Sequence, residues 1–127
     1  WMIAQHAIGL PDFQRRCLDL LNTAVTKEEA PAVHAAYLTD RIRFNERKPQ
    51  IYGTIFDWDE HGQLSPWTIE DEAGVEERRS SVGLPPLVDA VEDARNQAEA
   101  EGSKPTADYS ARQWEIEEWS RKTGWTE

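Results

Sequence analysis

The sequence predicts a mainly helical α+β domain, with four to six helices and one two-stranded antiparallel hairpin. Three observations predict it. Apolar residues recur at helical spacing through most of the chain, and proline and glycine punctuate those stretches where helices start and stop. Between residues 50 and 69 alone, the composition turns to β-branched and aromatic residues around a turn sequence.

Trp1 to Ile8 reads as the end of a helix, with Trp1, Ala4 and Ile8 on one side and Gly9 as its stop. Leu10-Pro11-Asp12 opens a second helix, because proline suits the first turn and aspartate favours the positive end of the helix dipole. Phe13, Cys17, Leu20, Leu21, Ala24 and Val25 then form its apolar stripe. Pro31 opens a third helix with Val33, Tyr37, Leu38 and Ile42 as its buried stripe, and Pro49 ends it. Gln50 to Trp58 reads as a strand, Asp59-Glu60-His61-Gly62 as the turn, and Gln63 to Ile69 as the return strand, which Pro66 confines to an edge. A short helix through Val75 and Val82 stops at Gly83, ahead of Leu84-Pro85-Pro86. Leu87, Val88, Val91, Ala94 and Ala98 mark a further helix ending at Gly102, and a last one spans about Tyr109 to Lys122, where Tyr109, Ile116 and Trp119 share a face and Trp114 does not.

A chain of 127 residues is a single-domain length, enough to hide roughly two thirds of its unfolded surface. Fourteen basic against 24 acidic residues leave a net charge of −10, a field that repels phosphate backbones and anionic membrane surfaces. Nucleic acid and membrane are therefore not expected as partners. The single cysteine, Cys17, allows no intrachain disulfide and fits a reducing, cytoplasmic setting; its place on an apolar face makes it a core thiol.

Several short stretches, taken in order, resemble a bacterial family known only as a domain of unknown function. They are Trp1-Met-Ile-Ala-Gln5-His6-Ala7, Phe13-Gln14-Arg-Arg-Cys-Leu18, Ala36-Tyr37-Leu38-Thr39-Asp40-Arg41, Gln50-Ile-Tyr52-Gly53-Thr54, Ile69-Glu70-Asp71, Val75-Glu-Glu-Arg78-Arg79 and Val82-Gly83-Leu84-Pro85-Pro86-Leu87. Members commonly carry a glutamine after Tyr-Gly-Thr where this chain has Ile55, so no role passes to that side chain. The resemblance implies a family-like core over residues 1–87, a C-terminal helical extension over 88–127, and a helical stretch ahead of Trp1 in the parent domain. It implies no reaction.

The polar residues in those stretches are the candidates for a site. His6, near a helix end, is a proton shuttle or a cap for helix carbonyls. Asp40 and Arg41 interrupt an apolar helix; arginine clamps carboxylates, yet helix neighbours point about 100 degrees apart, so a structural ion pair is the equal alternative. Strand alternation puts Gln50, Tyr52 and Thr54 in one row, with Gly53 marking a close approach by backbone or ligand. The expected site thus has His6 and Tyr52 as catalytic groups, with Gln5, Asp40, Arg41, Gln50 and Thr54 binding a small molecule; no cofactor is implied. Asp57, Asp59 and Gly62 faintly follow the start of a calcium loop, but Thr68 stands where a bidentate glutamate is needed, and no metal site is expected. The histidines and the one cysteine make no zinc pattern. No nucleophile elbow, phosphate loop or dinucleotide fingerprint occurs. Against the enzyme or ligand-binding reading stands a non-catalytic interaction or regulatory module, homodimeric through the C-terminal helix that carries Trp114 and Trp119.

Overall fold

A computed structural model describes residues 2–127. Among them the chain forms six α-helices and one antiparallel hairpin: α1 (Met2–His6), α2 (Pro11–Thr26), α3 (Ala32–Asn45), β1 (Phe56–Trp58), β2 (Leu64–Pro66), a 3-10 turn (Glu72–Gly74), α4 (Val75–Ser81), α5 (Leu87–Ala100) and α6 (Tyr109–Thr123). The expected side-by-side placing of Ala4 and Ile8 with Trp1 involves a residue outside those described. No helix among the described residues is long and apolar enough to cross a membrane.

The main core lies where α1, α2 and α3 meet the C-terminus. Ala4, Leu38, Ile42 and Trp125 are buried together, with Cys17, Leu18, Leu21 and Trp119 packed against them. Trp125 closes this core from the far end of the chain: its indole Nε1 donates to the Ile8 carbonyl at 2.7 Å, and the Arg15 guanidinium lies 5.0 Å from the ring centroid.

The second helix covers only part of the stripe its periodicity marks: Cys17, Leu21, Ala24 and Val25 are half-buried, with Cys17 and Leu21 against the core. Phe13 and Leu20 are 45% and 64% exposed, whereas Gln14 is fully buried. The reason is polar. The Gln14 amide donates to the carbonyls of Ala4 and Gln5 in the last turn of α1, where helix carbonyls run out of intrahelical partners, and its own oxygen accepts from Asn45. That bonding turns Gln14 inward and leaves Phe13 facing water. The third helix is buried on most sides, through Ala35, Ala36, Leu38, Asp40, Ile42 and Asn45, while Val33 and Tyr37 are only half-buried.

The hairpin is shorter than the composition suggests. Its strands pair Phe56 with Pro66, Asp57 with Ser65 and Trp58 with Leu64. Gln50 makes only an isolated parallel bridge with Ile69, and residues 51–53 bend away. The expected row of Gln50, Tyr52 and Thr54 along one strand face is therefore corrected. Asp59 builds the hairpin turn: Oδ1 accepts from the amides of His61 and Gln63, and Oδ2 from the Ser65 hydroxyl. Arg95 of α5 holds the outer strand through the Leu64 carbonyl at 2.9 Å. The sixth helix is capped at its start by Asp108, whose side chain accepts from Ala111, and at its end by Gly124 at φ 91°.

Candidate functional site

The Gln50-Ile-Tyr-Gly-Thr54 segment is a tight bend clasped from both sides by charged side chains. Asp40, on α3 and fully buried, takes its amides: Oδ1 accepts from Ile51 N at 2.8 Å and Tyr52 N at 3.0 Å. Oδ2 accepts from Thr54 N at 3.0 Å and the Thr54 hydroxyl at 2.7 Å. Four donors thus satisfy a carboxylate that burial alone would penalise heavily. The carbonyls go to two adjacent arginines of α4. Arg78 Nε donates to Ile51 O, while its other nitrogens reach the carbonyls of Glu70 and Asp71. Arg79, 2% exposed, donates from Nη1 to Tyr52 O and Gly53 O and from Nε to Pro85 O. Burial lowers the Arg79 pKa, and the charges of Glu76, Tyr37 and Asp40 act in the opposite direction.

Gln50 completes the clasp from within the loop. It is fully buried, donates to the carbonyls of Ile55 and Trp67, and accepts from Ile55 N. Gly53 is needed for two reasons. Its φ of 70° lies in the left-handed region, and a Cβ there would stand 3.1 Å from Leu87 Cδ1 and 3.3 Å from Ile69 Cδ1. Asp40, Gln50 and Thr54 are therefore brought together, with their polar atoms engaged inside the protein.

Arg41, the next residue on α3, enters a different environment. It lines a cavity of about 240 Å³ between α3 and α6, together with Arg112 and the apolar side chains of Ile8, Phe44, Ile116 and Trp119. Glu115 and Asn45 complete the lining. Among the described residues, the buried Nε of Arg41 has no hydrogen-bond acceptor, and neither has the Nε of Arg112. Burial lowers the Arg41 pKa, with no facing charge among the causes. Arg112 spends its Nη2 on Asp57, at 3.1 and 3.2 Å from the two carboxylate oxygens. Two more buried donors without acceptors lie along the same seam, Arg47 Nη1 on the α3 side and Gln113 Nε2 on α6.

The remaining candidates are dispersed. His6 is exposed in the last turn of α1, and Gln5 beside it is half-buried with its side-chain oxygen unpaired. Tyr52 is half-buried, with its backbone held in the clasp. Neither His6 nor Tyr52 lines the Arg41 cavity or the cavity beside Thr54, which Tyr37, Phe56 and Arg79 also border. Sequence reasoning gave no role to Arg78, Arg79, Phe44, Arg47, Arg112 or Gln113. The adjacent Arg78-Arg79 pair was visible as a motif; its partners are backbone carbonyls, which carry no side-chain signal.

Residues 1–104 match the model of a family of unknown function, DUF6624. The chain belongs to this family. The match runs past Leu87, where the resemblance of short stretches stops, and takes in all of α5. It includes the clasp and Arg41, whereas α6, which carries Arg112 and Gln113, lies beyond it. No curated protein and no solved structure matches the chain.

Proposed function

We propose that this DUF6624 member is a cytoplasmic binding domain for a small organic anion with an apolar body, such as an aryl or short aliphatic carboxylate, received between α3 and α6. The observation that carries the reading is the Arg41 guanidinium: partly desolvated, with a buried Nε–H that no acceptor meets, in a cavity walled by Phe44, Ile116 and Trp119. A carboxylate accepts from arginine in a fork, and an apolar pocket with one or two polar anchors is the usual form of a small-molecule site. Arg112 supplies a second guanidinium on the facing helix. In this reading Asp40, Gln50 and Thr54 are positioning residues that hold α3 against the bend, and no reaction is assigned to His6 or Tyr52. The single cysteine supports the cytoplasmic setting, and the net charge of −10 argues against nucleic acid as the ligand.

Homodimerisation through α6 is the weaker reading. Trp125 is buried, Trp119 packs on the chain's own core, and Trp114, 63% exposed, is the tryptophan left to offer a partner.

Titration of ¹⁵N-labelled protein with benzoate and hexanoate, against benzamide and hexanol as neutral controls, tests the anion site. The carboxylates should shift the Arg41 and Arg112 Nε–H resonances saturably, and Arg41→Met should weaken binding by about tenfold or more, the equivalent of losing a charge-assisted contact. Equal binding of acids and neutral controls would sink the reading.

A further inference from the structure

A second cavity, of about 190 Å³, lies between the hairpin and the start of α6. Its walls carry three aromatic rings, Trp58, Trp67 and Tyr109, with two carboxylates, Asp57 and Asp59, and the amide of Gln113. We propose that this cavity is a site for a neutral polyhydroxylated ring, a monosaccharide or cyclitol, distinct from the anion site.

The charge accounting excludes ionic ligands first. Each neighbouring cation already has a partner within the chain. Arg112 is bound to both oxygens of Asp57, and Arg47 lies over the Trp67 ring at 4.3 Å while donating Nη2 to Gln113 Oε1 at 2.9 Å. An anion would meet two carboxylates, and the guanidiniums beside them already face Asp57 and Gln113, each with one N–H left open. A cation is disfavoured from the other side, because Asp57 is neutralised by Arg112 and Asp59 already accepts from two turn amides and Ser65.

The unmet group is a donor. Arg47 fixes which end of the Gln113 amide is oxygen, since only an acceptor can face its N–H. The other end, Nε2, is buried and has no acceptor among the described residues. Gln113 lines the cavity, so a ligand oxygen that accepts would suit this donor, whereas an ammonium group would not. The carboxylates, accepting on their remaining lone pairs, call for hydroxyl donors, and the aromatic rings call for an apolar face. A hydroxylated ring carries all three: acceptor oxygens, donor hydroxyls and faces of C–H bonds.

The experiment is a titration of the full chain with methyl α-glucoside, methyl β-galactoside and myo-inositol, each to about 100 mM, reading the Gln113 side-chain amide and the Trp58 and Trp67 indole N–H signals by NMR. Supporting the proposal, at least one compound shifts these signals saturably, salt leaves the affinity unchanged, and Gln113→Met weakens it about fivefold or more. Trp58→Phe, which keeps an aromatic ring in the strand, should retain the fold and weaken binding less than Gln113→Met. Absence of shifts with all three compounds would overturn it, as would equal affinity in Gln113→Met or saturable shifts with tetramethylammonium alone. Benzoate serves as the cross-check. It reports on Arg41 whether or not the polyols bind, so either site can fail by itself.

Discussion

The bend at residues 50–54 and the seam between α3 and α6 both bury arginines, and they treat them in opposite ways. In the bend, the nitrogens of Arg78 and Arg79 meet six carbonyls, and Asp40 supplies the matching negative charge to the amides. In the seam, Arg41, Arg47, Arg112 and Gln113 each keep a buried N–H that nothing in the described chain accepts. A polar network with every member satisfied rigidifies a fold, whereas buried donors left open cost stability. Asp40 and Arg41 are neighbours on one helix turn, yet one belongs to the scaffold and the other to the cavity.

The contrast also explains what the Gln-x-Tyr-Gly-Thr motif does. Successive backbone amides around a left-handed glycine make a concavity suited to an anion. Here the anion is the protein's own Asp40 carboxylate, and the concavity is filled from within.

Mutations should separate the two regions, most forcefully at the clasp. Asp40→Asn puts an amide NH₂ among backbone donors and removes the charge facing Arg79, so urea denaturation should show a loss of about 3 kcal/mol or more. A loss under about 1 kcal/mol would mean that the clasp is not the scaffold. Gly53→Ala comes next: the left-handed backbone and the 3.1 Å approach to Leu87 should cost about 1–2 kcal/mol, read in the same assay.

The seam should respond in the other direction. Arg41→Met removes a desolvated charge with no acceptor, so the ligand-free protein should be unchanged or more stable by about 1 kcal/mol, even as carboxylate affinity falls. Destabilisation comparable to Asp40→Asn would place Arg41 in the scaffold and erase the distinction. The smallest effect belongs to neither region and serves as a calibration. The turn amides and the Ser65 hydroxyl hold the Asp59 pKa below its ordinary value of 3.8, a shift led by the bond from Gln63. A depressed carboxylate pKa stabilises the folded state above the unfolded value and loses that contribution as pH falls through the folded one. NMR titration should therefore place the Asp59 midpoint below 3.8, and Asp59→Asn should flatten the acid limb of the stability curve only slightly.

Local pattern carried the element order well because helix starts, stops and turns are set by neighbours in sequence. Pro11 and Pro31 sit at their helix starts, Gly83 and Gly124 follow helix ends in left-handed backbone, and Asp59 makes the hairpin turn. The site was less legible. Asp40, Gln50 and Thr54 stand out in sequence as polar residues in apolar stretches, but their partners are backbone groups of the bend, and alternation placed Gln50 on a strand that the bend at 51–53 interrupts. Arg112 and Gln113 looked like the ordinary polar face of an exposed helix, with nothing in their own segment to set them apart.

The sequence by itself determined a mainly helical chain with one hairpin, because periodicity, proline, glycine and capping residues act over a few positions. Only the tertiary structure decided which polar groups find partners. Gln14 turns inward because α1 ends above it, Asp40 is consumed by a bend eleven to fourteen residues away, and Arg41 is left open because α6 faces it with Arg112 and apolar side chains. Hydrogen-bond satisfaction is a property of groups brought together in space, and that is where scaffold and candidate site part.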